Sequence, residues 1–309
     1  MSDALSYSRV DTYKKCPFKY KLLYIDKHKV EFDSVSTELG SLIHYIEEQI
    51  SIDIKNGKEV NYDFYKDQFL NINQDKIIGV NLIKEKYQKD WKVQDKNGYS
   101  HEDKANIYFE SGMYRLQNYL KENPNLSLYA MELPFQLDIH NKAFKGFIDR
   151  IYFDKSTGGY IIEDIKTYTK GMAGKELKQS LQMYVYTAAL KVILGPDISV
   201  KCQYNLPLVN RIQDSKVDES YIKNNLDKIL EKIDNGQFYP KPTPLCHWCV
   251  FSPTNPNQPA EAKNLCPYFC KWTRDNKTDE VENQWQGESM HPVILENFIK
   301  KNTEGKENL

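Results

Sequence analysis

The chain has 309 residues, six of them cysteine, with 42 Lys and Arg against 43 Asp and Glu for a net charge of −1. That near-neutral balance does not advertise a polyanion binder and does not exclude one, because a local basic cleft can have its charge offset by nearby carboxylates. Met1-Ser2-Asp3-Ala4-Leu5 has no basic start followed by an apolar run, and no stretch is apolar for long enough to cross a bilayer, so the expectation is a soluble, cytoplasmic protein with no membrane partner.

Residues 6–25 read as a short capped helix, with Ser8 as its N-cap, entering Cys16-Pro17-Phe18-Lys19-Tyr20. A second helix is expected from about Glu38 to Ile54. It carries Gly40-x-x-x-His44, one turn apart, with Gly40 allowing another backbone to approach closely. The region 62–122 is helical in period, interrupted by the polar loop Gln94–Gly98. Strands are expected near 127–138, 143–153 and 160–167, then a helix over Lys175–Leu194 stopped by Gly195-Pro196, a strand at 198–206 and a helix at 219–234. A Pro-rich segment, Tyr239–Pro244, leads into the cysteines. Near the end Val293, Ile294, Phe298 and Ile299 form a short amphipathic stripe in a polar tail. Strands preceded by helices and separated by one long helix make an α/β chain with a helical insertion.

The turn Lys155-Ser156-Thr157-Gly158-Gly159 predicts a hairpin in which Phe153 pairs with Tyr160. That register sets Asp149 opposite Asp164, and Lys166, two residues on, points to the same face. Two carboxylates and an ammonium on one side of a sheet suit a metal and a nucleophile. Arg150 and Glu163 fall opposite each other on the other face, where the expectation is a screened ion pair worth little. Glu132, on the preceding strand, could add a carboxylate, and His44 an imidazole. Gln182 and Tyr186 share a helical face with Lys175, Lys178 and Gln179, a set of donors suited to phosphate oxygens.

Upstream Asp149 followed by Asp164-Ile165-Lys166 resembles the PD-(D/E)XK nuclease pattern. With Gly40-x-x-x-His44 before it, Gln182-x-x-x-Tyr186 after it, and the opening Leu5–Arg9 through Cys16–Tyr20, the order over residues 5–270 is similar to that of RecB-type nuclease domains. The cysteines are similar to those of the iron–sulfur nucleases of the AddB and CRISPR-adaptation type. The resemblance implies a restriction-endonuclease-like α/β core, a mixed sheet flanked by helices, with a helical insertion and a C-terminal cysteine-ligated metal cluster. It implies that His44, Asp149, Asp164 and the Ile165 carbonyl hold Mg²⁺ or Mn²⁺, that Lys166 orients or deprotonates the attacking water, and that Gln182 and Tyr186 position DNA. Hard oxygen ligands and one imidazole agree with those ions.

Cys246-x2-Cys249-x16-Cys266-x3-Cys270 could alone be a four-thiolate zinc site, leaving Cys16 unused. The resemblance instead implies a 4Fe-4S cluster on Cys16, Cys246, Cys249 and Cys266, with Cys270 as the alternative fourth ligand because the gap after Cys249 is longer than usual in that family. Cys202, alternating with apolar neighbours, reads as a buried, inert thiol. The expected division is an N-terminal helical part at 1–125, a catalytic core at 126–210, a helix and cysteine region at 211–275, and a polar tail at 276–309. The expected activity is a DNA exonuclease or end-processing nuclease acting through a metal-activated water on single-stranded or ended DNA, alone or with a separate helicase or recombination protein. The alternatives are a non-catalytic nucleic-acid-binding subunit of a recombination or repair complex, and a PD-(D/E)XK endonuclease. Nothing in the chain resembles a phosphate-binding motor loop.

Overall fold

The computed structural model describes residues 4–30, 34–241, 243–252, 255, 258–262 and 265–266. The amphipathic stripe near the end of the chain and Cys270 lie outside them. The chain divides into two units: Met1–Leu5 with Asp33–Lys223, and Ser6–Phe32 with Asn224–Leu309.

The first unit is built on a mixed five-stranded sheet in the order β3-β4-β5-β6-β7. Its strands are Leu126–Ile139 (β3), Lys142–Asp154 (β4), Gly159–Ile165 (β5), Val200–Leu206 (β6) and Arg211–Ser215 (β7). Only β5 and β6 run parallel, joined across α9 (Gly174–Lys178) and α10 (Leu181–Leu194). The hairpin register is the expected one: Phe153 pairs with Tyr160 and Arg150 with Glu163. Asp154 fixes the turn by accepting from the Ser156 and Thr157 hydroxyls at 2.6 and 2.9 Å, and Gly158 takes the left-handed φ of 68° that the turn requires.

The N-terminal helical part of this unit opens with α3 (Val35–Lys55), which starts earlier than expected because Ser34 caps it, accepting from Thr37 N–H. It buries Leu39, Leu42, Ile43, Ile46 and Ile50 on one side, an i, i+3, i+4 stripe. The region 62–122 comprises α4 (Tyr62–Asn71), α5 (Val80–Lys86), α6 (Gln88–Trp91), α7 (His101–Ile107) and α8 (Met113–Glu122), with an unexpected small hairpin of β1 (Asn73–Gln74) and β2 (Ile77–Ile78) between α4 and α5. The loop at 94–98 is present as a turn, closed by the Asp95 carboxylate. Phe69, Trp91, Tyr108 and Leu116 join the α3 stripe in one core with Tyr152 and Ile161 of the sheet. Cys202 is buried on β6, its sulfur 3.2 Å from the Thr187 hydroxyl, as its alternation implied.

The second unit opens with α1 (Tyr7–Lys15) and α2 (Pro17–Tyr20), and α11 (Glu219–Asp234) leads into its C-terminal half. Ser6, not Ser8, caps α1, and the helix read over 6–25 breaks at Cys16, whose sulfur caps α2 at Lys19 N–H. The two halves are tied over long sequence separations: Tyr13 Oη donates to the Gln237 carbonyl at 2.7 Å, and Phe18 N–H to the Tyr239 carbonyl at 3.2 Å. Phe18 and Leu22 share a small core with Val250, Phe251 and Ala262. No helix among the described residues is long and apolar enough to cross a membrane.

Candidate active site

Three elements of the first unit bring the acidic residues together: the first half of α3, the middle of the β3–β4 pair, and the C-terminal end of β5. The Asp149 carboxylate accepts from Ile165 N–H at 3.1 Å, which ties β4 to the end of β5. On its other side the same oxygen lies 3.7 Å from His44 Nδ1. Glu132 completes a triad in which one ligand atom each from His44, Glu132 and Asp149 lies within 4.8 Å of the others. Met131 pairs with Arg150 and Leu133 with Ile148, so Glu132 sits opposite Asp149. Its φ is +43°, a left-handed conformation in a strand residue with a side chain. Such a residue costs about 1–3 kcal/mol and persists where the surroundings hold it, most often at functional sites.

Asp164 is 1 % exposed. Lys166 Nζ stands 2.6 Å from its Oδ2, and Gln182 Nε2 donates to its Oδ1 at 2.5 Å. The same Gln182 nitrogen donates to Tyr186 Oη at 2.9 Å, and the Tyr186 ring meets Phe135 edge-on. Gln182 Oε1 is buried and has no hydrogen-bond partner among the described residues. Lys166 N–H donates to the Asn205 carbonyl at 2.9 Å, just past the end of β5, which anchors the lysine's backbone to β6.

The charges are strongly interdependent. Burial, reinforced by the Asp149 charge and opposed by Lys166, pushes the Asp164 carboxyl up to about 8. Burial also raises Glu132 to about 7, with Asp149 and Glu48 adding to the effect. Desolvation lowers His44 despite the pull of Asp149, so the imidazole is held in its neutral, metal-ligating form. For Lys166 burial acts downward, but Asp164 outweighs it and the ammonium is stabilised. Burial raises the Tyr186 phenol as well, so it remains a donor. A carboxylate-rich pocket that retains protons in this way is short of positive charge. Its donor set, three carboxylates and a neutral imidazole, fits a hard divalent cation.

A cleft of about 530 Å³ is lined by His44 and Glu132, with Ser36, Thr37, Gly40 and Ser41 on α3. A Cβ at Gly40 would have only the Thr167 hydroxyl nearby, at 3.8 Å, so no backbone crowds it and the close approach expected there is absent. Two other expectations also change. The helix over 175–194 is broken at Gln179–Ser180, with Ser180 capping α10 through Met183 N–H, so Lys175, Lys178 and Gln179 do not continue the face of Gln182 and Tyr186. Gln182 and Tyr186 are themselves buried rather than part of a solvated face.

Arg150 and Glu163 are each 1 % exposed, not screened by solvent. Arg150 Nη1 donates to Glu163 Oε1 at 2.8 Å, and Nη2 to Glu47 Oε2 at 2.9 Å. The register was legible, but the third member was not. Glu47 follows His44 by three residues on the same helix, and its acidic side chain amid a buried stripe was the available signal.

A family model for the PD-(D/E)XK nuclease superfamily matches residues 4–254. The chain belongs to the PD-(D/E)XK nuclease superfamily. Members of this superfamily are metal-dependent nucleases, and the mixed five-stranded sheet flanked by helices is their fold. No curated protein matches. Among solved structures, the one titled "Crystal structure of SSO0001" is similar at 20 % identity and a TM-score of 0.24, covering 46 % of this chain. The match spans 65 % of that protein's length.

This nuclease-superfamily chain also gathers four of its six cysteines in the second unit. Cys16, Cys246, Cys249 and Cys266 line one cavity of about 160 Å³, together with Phe18, Leu22 and Phe251. Backbone N–H groups already point at two of the sulfurs, Lys19 N at Cys16 Sγ and Thr243 N at Cys246 Sγ, each at 3.4 Å. Burial raises the Cys249 thiol, Lys19 and the Phe251 N–H oppose the shift, and the proximity of Cys16 and Cys246 adds to it. Four thiols lining one largely apolar cavity, two of them met by backbone N–H donors, are a donor set that fits a thiolate-ligated metal centre.

Proposed function

We propose that this protein is a RecB-type, iron–sulfur member of the superfamily and acts as a metal-dependent DNA exonuclease or end-processing nuclease. The observation that carries the reading is that Asp149, tied to Ile165 N–H at the end of β5, lies beside His44 and Glu132, while the buried Asp164 next to it in the sheet is paired with Lys166. His44, Asp149, Asp164 and the Ile165 carbonyl would hold Mg²⁺ or Mn²⁺, with Glu132 as a further ligand. The ion supplies Lewis-acid polarisation of the phosphate and acidification of water.

The chain's own groups do the rest. Lys166, with its ammonium stabilised by Asp164, orients the attacking water and offsets charge growing on the phosphate. Gln182 holds the Asp164 carboxylate, and its free carbonyl oxygen remains to accept from water or the DNA strand. Tyr186 braces Gln182 and helps to position that strand. The hydroxyls of Ser36, Thr37 and Ser41 along the cleft are donors suited to a phosphate backbone.

The resemblance also implies a 4Fe-4S cluster on Cys16, Cys246, Cys249 and Cys266, and the shared cavity of these four residues supports it. Its contribution would be structural, closing the N- and C-terminal halves of the second unit and coupling metal binding to folding.

The test is a time course on end-labelled linear single-stranded DNA with Mn²⁺, comparing wild type with Lys166→Ala, and a parallel reaction on circular single-stranded DNA. Cleavage of the linear substrate by wild type alone supports the exonuclease. Cleavage of circles indicates an endonuclease, and no cleavage by wild type overturns the catalytic reading.

A further inference from the structure

We propose that Glu47, Arg150 and Glu163 are positioning residues that set the spacing of the metal ligands from behind the site. The inference rests on the metallonuclease reading. Each member sits beside a candidate ligand in the chain: Glu47 one turn after His44 on α3, Arg150 next to Asp149 on β4, and Glu163 next to Asp164 on β5. The Arg150 guanidinium joins the other two, with one nitrogen on each carboxylate, at 2.8 and 2.9 Å. A single fork thus fixes a helix and two strands relative to one another, at the positions that carry the imidazole and both aspartates.

The surroundings hold the fork in one geometry. Tyr108 Oη donates to Glu47 Oε1 at 3.2 Å. Glu163 accepts from Tyr152 Oη at 3.2 Å and from Gln203 Nε2 at 2.6 Å. All three charged residues are 1 % exposed, and together they bury an excess negative charge. A buried ionic triad is a poor device for stability, since apolar replacements of similar volume often serve as well or better. It is a good device for position, because a charged fork tolerates one geometry where apolar packing tolerates several. The site needs that tolerance: a binding constellation loses function when its supports allow more than about 0.5 Å of play. No other ion pair described in this unit joins α3 to both β4 and β5.

Arg150→Lys tests the inference, because it retains the charge but cannot span both carboxylates as a fork. Mn²⁺ affinity is read from the electron paramagnetic resonance signal of free Mn²⁺, with the fold checked by circular dichroism and Asp149→Ala as the control that removes the site. Folded Arg150→Lys should bind Mn²⁺ about 10–100-fold more weakly, the usual cost of losing a support behind a metal ligand. Its cleavage rate should recover at saturating Mn²⁺, a KM effect rather than a kcat effect. Glu47→Gln, which keeps the size and an acceptor oxygen, should show a smaller loss in the same direction, and it decides the matter if Arg150→Lys does not fold. Wild-type Mn²⁺ affinity in the folded variants overturns the positioning role alone. Absence of Mn²⁺ binding by wild type overturns the metallonuclease reading and this inference with it.

Discussion

Enclosed by Asp149, Lys166 and Gln182, the Asp164 carboxyl keeps its proton up to about pH 8 in metal-free protein, against an ordinary value of 3.8. The folded state therefore binds more protons than the unfolded chain between these values, and stability falls as pH rises through them. Metal-free protein should show a melting temperature that drops from pH 5 to pH 8.5, and Asp164→Asn should flatten that slope. Mn²⁺ must displace the protons on Asp164 and Glu132, so its affinity should rise over the same range, most steeply between about 7 and 8. Titrating the metal at several pH values measures this, and an affinity independent of pH would contradict it. Lys166→Ala should lower single-turnover cleavage by about 10²–10⁴, while Mn²⁺ still binds. At this scale the placement of Asp149 opposite Asp164 was legible, because a symmetric turn at Lys155–Gly159 fixes which residues face each other. The left-handed backbone at Glu132 was not legible, since nothing about Glu in a strand announces a positive φ.

At the scale of elements, the β4–β5 hairpin was read well, β7 and the small β1–β2 hairpin were missed, and helix continuity was read poorly. Leu181–Leu194 continues an apolar period that began at Leu177, and the break shows only in Ser180, a capping residue directly before the new helix. The carbonyls freed at the end of α9 are taken up elsewhere: Ser215 Oγ donates to Leu177 O and Asp218 N–H to Lys178 O. Tertiary partners thus stabilise a break that local propensity does not predict. Ser180→Ala removes the cap and the hydroxyl contact with Tyr204, and should cost about 1–2 kcal/mol, a fall of several degrees in melting temperature. Because Gln182 lies two residues into the capped turn, cleavage should fall as well; unchanged cleavage would mean that α10 holds Gln182 without its cap. The misreading of Arg150 and Glu163 has a related origin. Register tells which residues are opposite, but burial depends on what covers that face, and here α3 does, through Glu47.

For the whole molecule, the nuclease fold was legible in the order of its motifs, and the second unit is assembled from both ends of the sequence. Its cysteines give the clearest expectation. Anaerobically purified protein should be brown, and Cys16→Ala should lose the colour and expose the second unit to protease while Asp149, on the first unit, remains protected. A colourless, well-folded wild type containing zinc would replace the cluster with the four-thiolate alternative. Paired Cys266→Ser and Cys270→Ser variants, judged by iron content, should identify Cys266 as the fourth ligand.

Tyr13 and Gln237, bonded in the finished protein, are 224 residues apart in the chain. A ribosome adding about 5–20 residues per second needs on the order of ten to fifty seconds to cover that distance. Throughout that interval Tyr20 lacks Phe238, Phe18 and Leu22 lack Val250, Phe251 and Ala262, and the Cys16 thiol stands without Cys246 and Cys249. Apolar side chains that the folded protein covers are therefore open to solvent while the chain is being made. A chaperone that shields the first thirty residues, or scarce oxygen while they wait, should raise the yield of intact protein more than either would help once the chain is complete.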